Sequence, residues 1–195
     1  MKEKEKERKE IRVVIAEDEP ITRMDLKEML VTAGYSVVGE ASEGFDAIEI
    51  CKKVNPDVVI LDIKMPLLDG LSAAKVITEE KTVGTVILLT AYSDEEFINR
   101  AAKIGVSGYI VKPIDEKALV PNIEIALARS REIQQIKRQC EIIAERLENR
   151  TIIEKAKGQL MVSMRLSENE AYEYIKTLSK EKKVSMKRIA EIILA

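Results

Sequence analysis

The sequence predicts an α/β domain with a five-stranded parallel sheet, followed by an all-α C-terminal third. Three observations carry this. Five short apolar runs alternate with amphipathic helical stretches over residues 11–125. The central run, Val58-Val59-Ile60-Leu61, is apolar without alternation, as in a strand buried on both faces. Beyond residue 115 the strand-like runs stop, and apolar residues recur only at helical steps.

The elements follow in order. Ile11 to Ala16 is a strand ending in Glu17-Asp18-Glu19-Pro20, and Pro20 suits the first turn of a helix, where its missing N–H is not needed. Ile21, Met24, Leu26, Met29 and Leu30 give that helix its period, and Gly34 stops it. Val37-Val38 is a short second strand. Phe45, Ile48 and Val54 mark a second helix, closed by Asn55-Pro56. The Val58–Leu61 strand runs into Asp62. Leu71, Ala74 and Ile77 make a third helix. Val86 to Leu89 is a fourth strand, ending in Thr90-Ala91-Tyr92. Phe97, Ile98, Ala101 and Ile104 make a fourth helix, ended by Gly105. Tyr109 to Val111 is a fifth strand, ending in Lys112-Pro113. Right-handed crossovers leave few topologies, and the flavodoxin-like strand order 2-1-3-4-5 is expected.

Composition narrows the chemistry. The chain has 195 residues and no histidine, which excludes histidine acid–base catalysis, histidine metal sites and a phosphohistidine. Two cysteines, Cys51 and Cys140, are too few for a disulfide framework and read as reduced thiols in a cytoplasmic protein. No apolar run reaches the roughly 18–20 residues that span a bilayer, so no membrane partner is expected. Residues 1–10 alternate Lys/Arg with Glu and read as a charged tail. Residues 129–195 carry 15 Lys/Arg against 10 Asp/Glu, while residues 1–128 carry 17 against 24. A basic third on an acidic body points to a polyanionic partner.

In open α/β sheets, ligands collect at the carboxyl ends of the strands. Four strands deliver polar groups there: Glu17 and Asp18, Asp62, Thr90, and Lys112. Three crowded carboxylates repel unless a cation sits among them. Oxygen ligands without His or Cys favour a hard ion such as Mg²⁺, which often bridges a carboxylate to a phosphate. Lys112 offers a point charge and Thr90 a hydroxyl to phosphoryl oxygens, and a free carboxylate beside them can act as a nucleophile.

These segments resemble the receiver domain of two-component response regulators. Glu17-Asp18, Leu61-Asp62 with Met65-Pro66 and Asp69-Gly70, Leu89-Thr90-Ala91, and Tyr109 with Lys112-Pro113 match in order over residues 11–125. The resemblance implies that Asp62 accepts phosphate from a sensor histidine kinase. It implies Mg²⁺ held by Asp18 and Asp62, by Glu17 through water, and by the Lys64 backbone carbonyl. It implies a switch pair, Thr90 and Tyr109. Glu17 departs from the family, which more often has Asp there; the charge is kept on a longer side chain. A phosphoacceptor of this kind is not an enzyme beyond slow autophosphatase activity.

From the N-cap candidate Asp115, Leu119, Ile123, Ala126, Ile133, Ile136, Cys140, Ile143 and Leu147 recur at steps of three and four. This reads as a long helix whose part over residues 126–150 is a coiled-coil linker. Pro121 is expected to kink or restart it. Ile152, Ile153, Ala156, Leu160 and Met164 form a further helix; Ser167 to Glu170 is a capping box for the next, and Ser185 caps a last one. The result is a three-helix bundle on a stalk.

Ile153 to Met161, Ser167 to Tyr172 and Ile189-Ala190 resemble the ANTAR domain of RNA-binding antiterminators, over residues 135–195. The resemblance implies recognition of RNA with paired hairpin loops by a homodimer that forms on phosphorylation. Lys155, Lys157, Arg165, Lys187 and Arg188 are candidates to neutralise phosphates, with Gln159 and Ser185 for readout. Gly158 would admit either an RNA backbone or a packed helix. Tyr172 and Tyr174 read as core residues. Two other readings compete. A DNA-binding response regulator would use the last helices, but no helix-turn-helix turn is evident. An aspartate-nucleophile phosphatase would want an acid two residues after Asp62, where Lys64 stands.

Overall fold

In the computed structural model the described residues are 11–91 and 95–195, without the side chains of 95–99 and 116. The charged tail expected over residues 1–10, and the side chains of Phe97 and Ile98, lie outside the described residues. The chain divides into two compact units, Met1–Ile133 and Gln134–Ala195.

The first unit holds β1 (Arg12–Ala16), α1 (Pro20–Thr32), β2 (Ser36–Ala41), α2 (Gly44–Val54), β3 (Val58–Asp62), α3 (Gly70–Glu80), β4 (Thr85–Thr90), α4 (Glu95–Ile104) and β5 (Gly108–Val111). The start of α5 (Glu116–Ser163) completes it. All strand pairs are parallel, in the order β2-β1-β3-β4-β5. This is the topology expected from alternating strands and helices.

Period-two alternation divides the sheet's apolar residues between two cores. Val14, Ala16, Val59, Leu61, Val86 and Leu88 pack with Ala47, Cys51, Leu71 and Ile77 of α2 and α3. Val13, Ile15, Val58, Ile60, Ile87 and Leu89 pack with Leu26 and Leu30 of α1 and Leu119 and Ile123 of α5. Every residue of β3 is buried. That explains the unbroken apolar run, since neither face of the strand meets water.

Local chemistry ends the helices where expected. Gly34 and Gly105 have positive φ after α1 and α4, and Asn55 takes the left-handed conformation after α2. Asp69 caps α3, its carboxylate accepting from the Ser72 N–H at 2.7 Å. Asp115 opens α5: its side chain accepts from the Lys117 N–H at 2.9 Å. Pro121 neither ends nor restarts the helix, because α5 runs through it to Ser163. The missing N–H would have bonded the Lys117 carbonyl, an acceptor in the first turn, so one bond is forfeited near an end.

In the second unit, the bundle's first helix is not separate. Nothing between Pro121 and Gly158 breaks the period, and α5 continues unbroken past Arg150. It packs with α6 (Glu168–Lys182) and α7 (Met186–Leu194). Ala156, Leu160, Ala171, Ile175, Ile189 and Ala190 form the core. The capping box is complete: Ser167 N–H donates to Glu170 Oε2 at 2.8 Å, and Glu170 N–H donates to Ser167 Oγ at 3.4 Å. Among the described residues no helix is long and apolar enough to cross a membrane.

Candidate functional site

The parallel sheet brings four strand ends to one edge. Glu17 follows β1, and its N–H donates to the Ala41 carbonyl at 3.1 Å. Asp62 closes β3, and the next amide, Ile63 N–H, donates to the Leu89 carbonyl at 3.0 Å. Lys112 follows β5, its N–H held by the Thr90 carbonyl at 2.8 Å. Glu17 and Lys112 are thus held at the edge by their own amides, and Asp62 by the amide of the residue after it.

Carboxylate oxygens of Glu17, Asp18 and Asp62 lie within 4.8 Å of one another. Glu17 and Asp62 are buried and Asp18 is exposed. Lys112 Nζ lies 2.7 Å from Glu17 Oε2 and 3.2 Å from Asp62 Oδ1. The longer reach of Glu17, where the family more often has Asp, is taken up by this contact. A cavity of about 520 Å³ opens on the group, lined by Glu17, Asp18, Asp62, Lys64, Thr90 and Lys112 among others.

Burial pushes the Asp62 carboxyl above the usual range, the Lys112 ammonium opposes this, and the Asp18 charge adds to it. Glu17 is raised too, first by burial, with Lys112 opposing and the Asp62 charge adding. For Lys112, burial pulls downward, but its contacts with Glu17 and Asp62 more than offset it and leave the ammonium raised. Four carboxylates, Glu17, Asp18, Glu19 and Asp62, line the cavity against two lysines, Lys64 and Lys112, which leaves it short of positive charge, and its all-oxygen donor set suits a hard divalent ion.

Gly70 makes this edge possible. A Cβ there would stand 1.9 Å from the Asp62 carbonyl oxygen, and the Gly70 N–H donates to the Ile63 carbonyl at 2.9 Å. Only glycine allows α3 to start so close to the end of β3. Tyr109 is the one receiver-edge candidate that does not line the acidic cavity. It is half exposed on β5 and lines a separate cavity of about 790 Å³ with residues of α4 and α5.

In the second unit the basic candidates separate into two kinds. Lys155, Gly158, Gln159, Arg165, Ser185 and Arg188 are exposed, and Lys187 is partly so. Lys155, Gly158 and Gln159 share one face of α5 by their spacing. Among the described residues a Cβ at Gly158 would meet nothing within 4 Å, so no helix of its own unit packs on it. Lys187 pairs with Glu148 at 3.3 Å, Arg188 with Glu191 at 3.2 Å, and Ser185 Oγ caps α7 by accepting from Arg188 N–H at 3.2 Å.

Lys157 differs from the expectation of a phosphate contact. Its residue is buried, and Nζ sits between Glu154 at 3.0 Å and Glu168 at 2.8 Å. These contacts, Glu168 first, raise its pKa. Its charge is spent joining α5 to the start of α6. The tyrosines also differ: Ala171 and Ile175 fill the core, leaving Tyr172 and Tyr174 exposed on opposite flanks of α6. Lys176 Nζ stands 5.9 Å from the Tyr172 ring centre. Positions two apart on a helix do not face together, which argued in the sequence against both being core.

Comparison with known proteins follows these divisions. Residues 13–124 match the response regulator receiver domain, and residues 142–194 match the ANTAR domain. The transcriptional regulatory protein PdtaR of Mycobacterium tuberculosis is 42% identical over 183 residues, 94% of this chain and 89% of that protein. A LuxR-family two-component response regulator from Aurantimonas sp. SI85-9A1 superposes with a TM-score of 0.57 at 30% identity, over 70% of this chain and 97% of that one. The CheX–CheY–BeF3–Mg+2 complex from Borrelia burgdorferi gives 0.55 at 27% identity, over 58% of this chain and 86% of that one. Regulators of this kind are not classical enzymes. With both domains matched in this order and the likeness to PdtaR running through each, the chain belongs to the two-component response regulators that join a receiver domain to an RNA-binding ANTAR antitermination domain.

Proposed function

We propose that this chain is a phosphorylation-controlled antiterminator, in which Asp62 accepts the phosphoryl group and the C-terminal unit binds RNA with paired hairpin loops. The observation that carries the reading is the convergence of Glu17, Asp18 and Asp62 within 4.8 Å, beside Lys112. The donor set fits Mg²⁺: Asp18 and Asp62 would hold it directly, Glu17 through water, and Lys64 by its carbonyl. When bound, Mg²⁺ supplies the positive charge that lets anionic oxygens gather at this edge. The likeness to CheY, seen in Borrelia burgdorferi with BeF3 and Mg+2, supports the same ligand chemistry here.

In this reading an Asp62 oxygen attacks the phosphorus of a phosphohistidine on a sensor histidine kinase. A P–O bond forms, the P–N bond breaks, and the imidazole leaves with the electron pair. Lys112 turns its ammonium from the carboxylates to a phosphoryl oxygen, and the Thr90 hydroxyl donates to another. Thr90 is buried and Tyr109 is half exposed. Drawing Thr90 inward leaves room for Tyr109 to move, which reshapes the surface of α4 and β5 and favours a homodimer. Hydrolysis of the acyl phosphate is slow, with no acid two residues after Asp62. The chain acts in the cytoplasm, where kinase and nascent RNA meet.

On the C-terminal unit, Lys155, Gly158 and Gln159 present one exposed face, with Arg165, Ser185, Lys187 and Arg188 available beyond it. Tyr172 and Tyr174 add stacking surfaces for unpaired bases. Two measurements test the reading. Acetyl phosphate with Mg²⁺ adds one phosphoryl mass to the chain and none to Asp62→Asn. The phosphorylated chain then binds a paired-hairpin RNA more tightly than the unphosphorylated one, and more tightly than duplex DNA of equal length. Equal affinity for RNA before and after phosphorylation removes the switch; preference for duplex DNA removes the antiterminator.

A further inference from the structure

Asp18 is placed unlike the other two carboxylates of its cluster. Glu17 and Asp62 are buried, whereas Asp18 is exposed, so packing does not set its approach to them. Its position follows from the backbone before it. The Glu17 carbonyl and the Asp18 N–H belong to one planar peptide group, so the direction of that carbonyl sets where the Asp18 Cα stands. The ladders that β1 makes with β2 and with β3 both end at Ala16. The Glu17 carbonyl lies past that end, where no strand register orients it.

A side chain orients it instead. Arg23 of α1 is half-buried, and its Nη1 donates to the Glu17 carbonyl. The Glu17 N–H donates to the Ala41 carbonyl at 3.1 Å, so the two ends of Glu17 are tied, one to β2 and one to α1. The Arg23 N–H donates to the Glu19 carbonyl at 3.0 Å, which fastens the arginine's own turn to the same loop. Thr22 Oγ1 donates to Glu19 Oε2 at 2.8 Å, and the Glu19 N–H donates to Glu17 Oε1 at 3.3 Å. The loop that carries Asp18 is thereby held from both sides.

We propose that Arg23 is a positioning residue of the acidic site: its bond to the Glu17 carbonyl keeps the Asp18 carboxylate beside Glu17 and Asp62, where the three can share a divalent cation. The inference rests on the Mg²⁺ reading above and adds a residue that offers the ion no ligand. The sign of its charge separates two effects. A guanidinium near the site repels a divalent cation, so by charge alone its removal tightens binding. A bond that orients metal ligands acts the other way, and loss of such a partner costs about 10–100-fold in metal affinity. Arg23 is partly open to water and salt, which screen the repulsion, so the geometric effect is the larger.

The test titrates the full chain with Mg²⁺ by calorimetry, with Asp18→Asn and Asp62→Asn defining the heat that belongs to this site. Arg23→Met removes the bond and the charge together. The expected result is an affinity for Mg²⁺ lowered about tenfold. Arg23→Lys keeps the charge and a donor on a flexible stem and recovers part of the loss. Arg23→Gln, shorter and polar, carries the same expectation as Arg23→Met and stands in for it where methionine prevents folding. Circular dichroism at the titration temperature shows which variants are folded, so lost stability alone does not move the affinity. With acetyl phosphate as donor, the Mg²⁺ concentration for half-maximal phosphorylation rises in step, while the rate at saturating Mg²⁺ is retained. Unchanged or tighter Mg²⁺ binding in the folded variant that lacks the arginine overturns the inference. A lysine variant that recovers nothing overturns it too. If the unaltered chain shows no Mg²⁺ binding that Asp18→Asn and Asp62→Asn abolish, the ion reading falls with it.

Discussion

Replacing Gly158 by alanine separates stability from function in the C-terminal unit. Gly158 lies inside α5, is exposed, and has no neighbour within 4 Å of an added Cβ. Its φ is not positive, so alanine adopts the backbone without strain. Glycine in a helix interior costs roughly 0.8–1 kcal/mol relative to alanine. With no steric term to offset this, Gly158→Ala stabilises the unit by about 1 kcal/mol, roughly a fivefold change in its unfolding constant. For a unit of this size that is a rise of about 4–8 °C in Tm. If the glycine serves close approach of an RNA backbone, the new methyl occupies that space, and affinity falls about tenfold, equivalent to ~1.4 kcal/mol. Thermal melts by circular dichroism and titration with a paired-hairpin RNA read the two effects on one protein. A stability gain with unchanged RNA affinity refutes the close-approach argument. A stability loss refutes the claim that the surrounding space is open.

Gly70→Ala does the opposite: its Cβ meets the Asp62 carbonyl at 1.9 Å, so the N-terminal unit loses about 1–3 kcal/mol, read from its urea midpoint. Leu160→Ala opens a cavity in a core of few side chains and costs the C-terminal unit about 2–5 kcal/mol, visible as early melting of that unit. Lys155→Ala lowers the slope of log affinity against log salt by about 0.7, the release of one counterion from single-stranded RNA, whereas Lys157→Ala lowers the melting temperature and leaves the slope unchanged. Burial holds Asp62 and Glu17 above the usual carboxylate range, so their contribution to stability is present below the unfolded values and lost as pH rises through the raised folded ones. In metal-free buffer, Asp62→Asn shrinks that loss on raising the pH; an unchanged pH dependence of the urea midpoint counts against the assignment.

The receiver half was legible because its signals are local. An unbroken apolar run means a strand covered on both faces, and the polar residue that ends each run falls at the shared edge once the strands are parallel. The convergence of Glu17, Asp62 and Lys112 followed from topology alone. What the pattern did not reveal depends on partners distant in sequence. Lys157 reads as a free cation until Glu168, on the next helix, is seen to hold it. The need for glycine at position 70 arises from the Asp62 carbonyl, which no spacing rule reports. The continuity of α5 was readable, since no glycine or proline interrupts residues 122–157. A division after residue 150 has no support in the period, which runs on to Ser163 in one helix.

The amide bond from Lys112 to the Thr90 carbonyl has a practical consequence. The proton in that bond sits between the last residue of one strand and the residue after the next. Its NMR frequency follows the length of that single link. A displacement of Thr90 toward the cavity would therefore appear as a shift of one resonance, without any label on the side chains that do the chemistry.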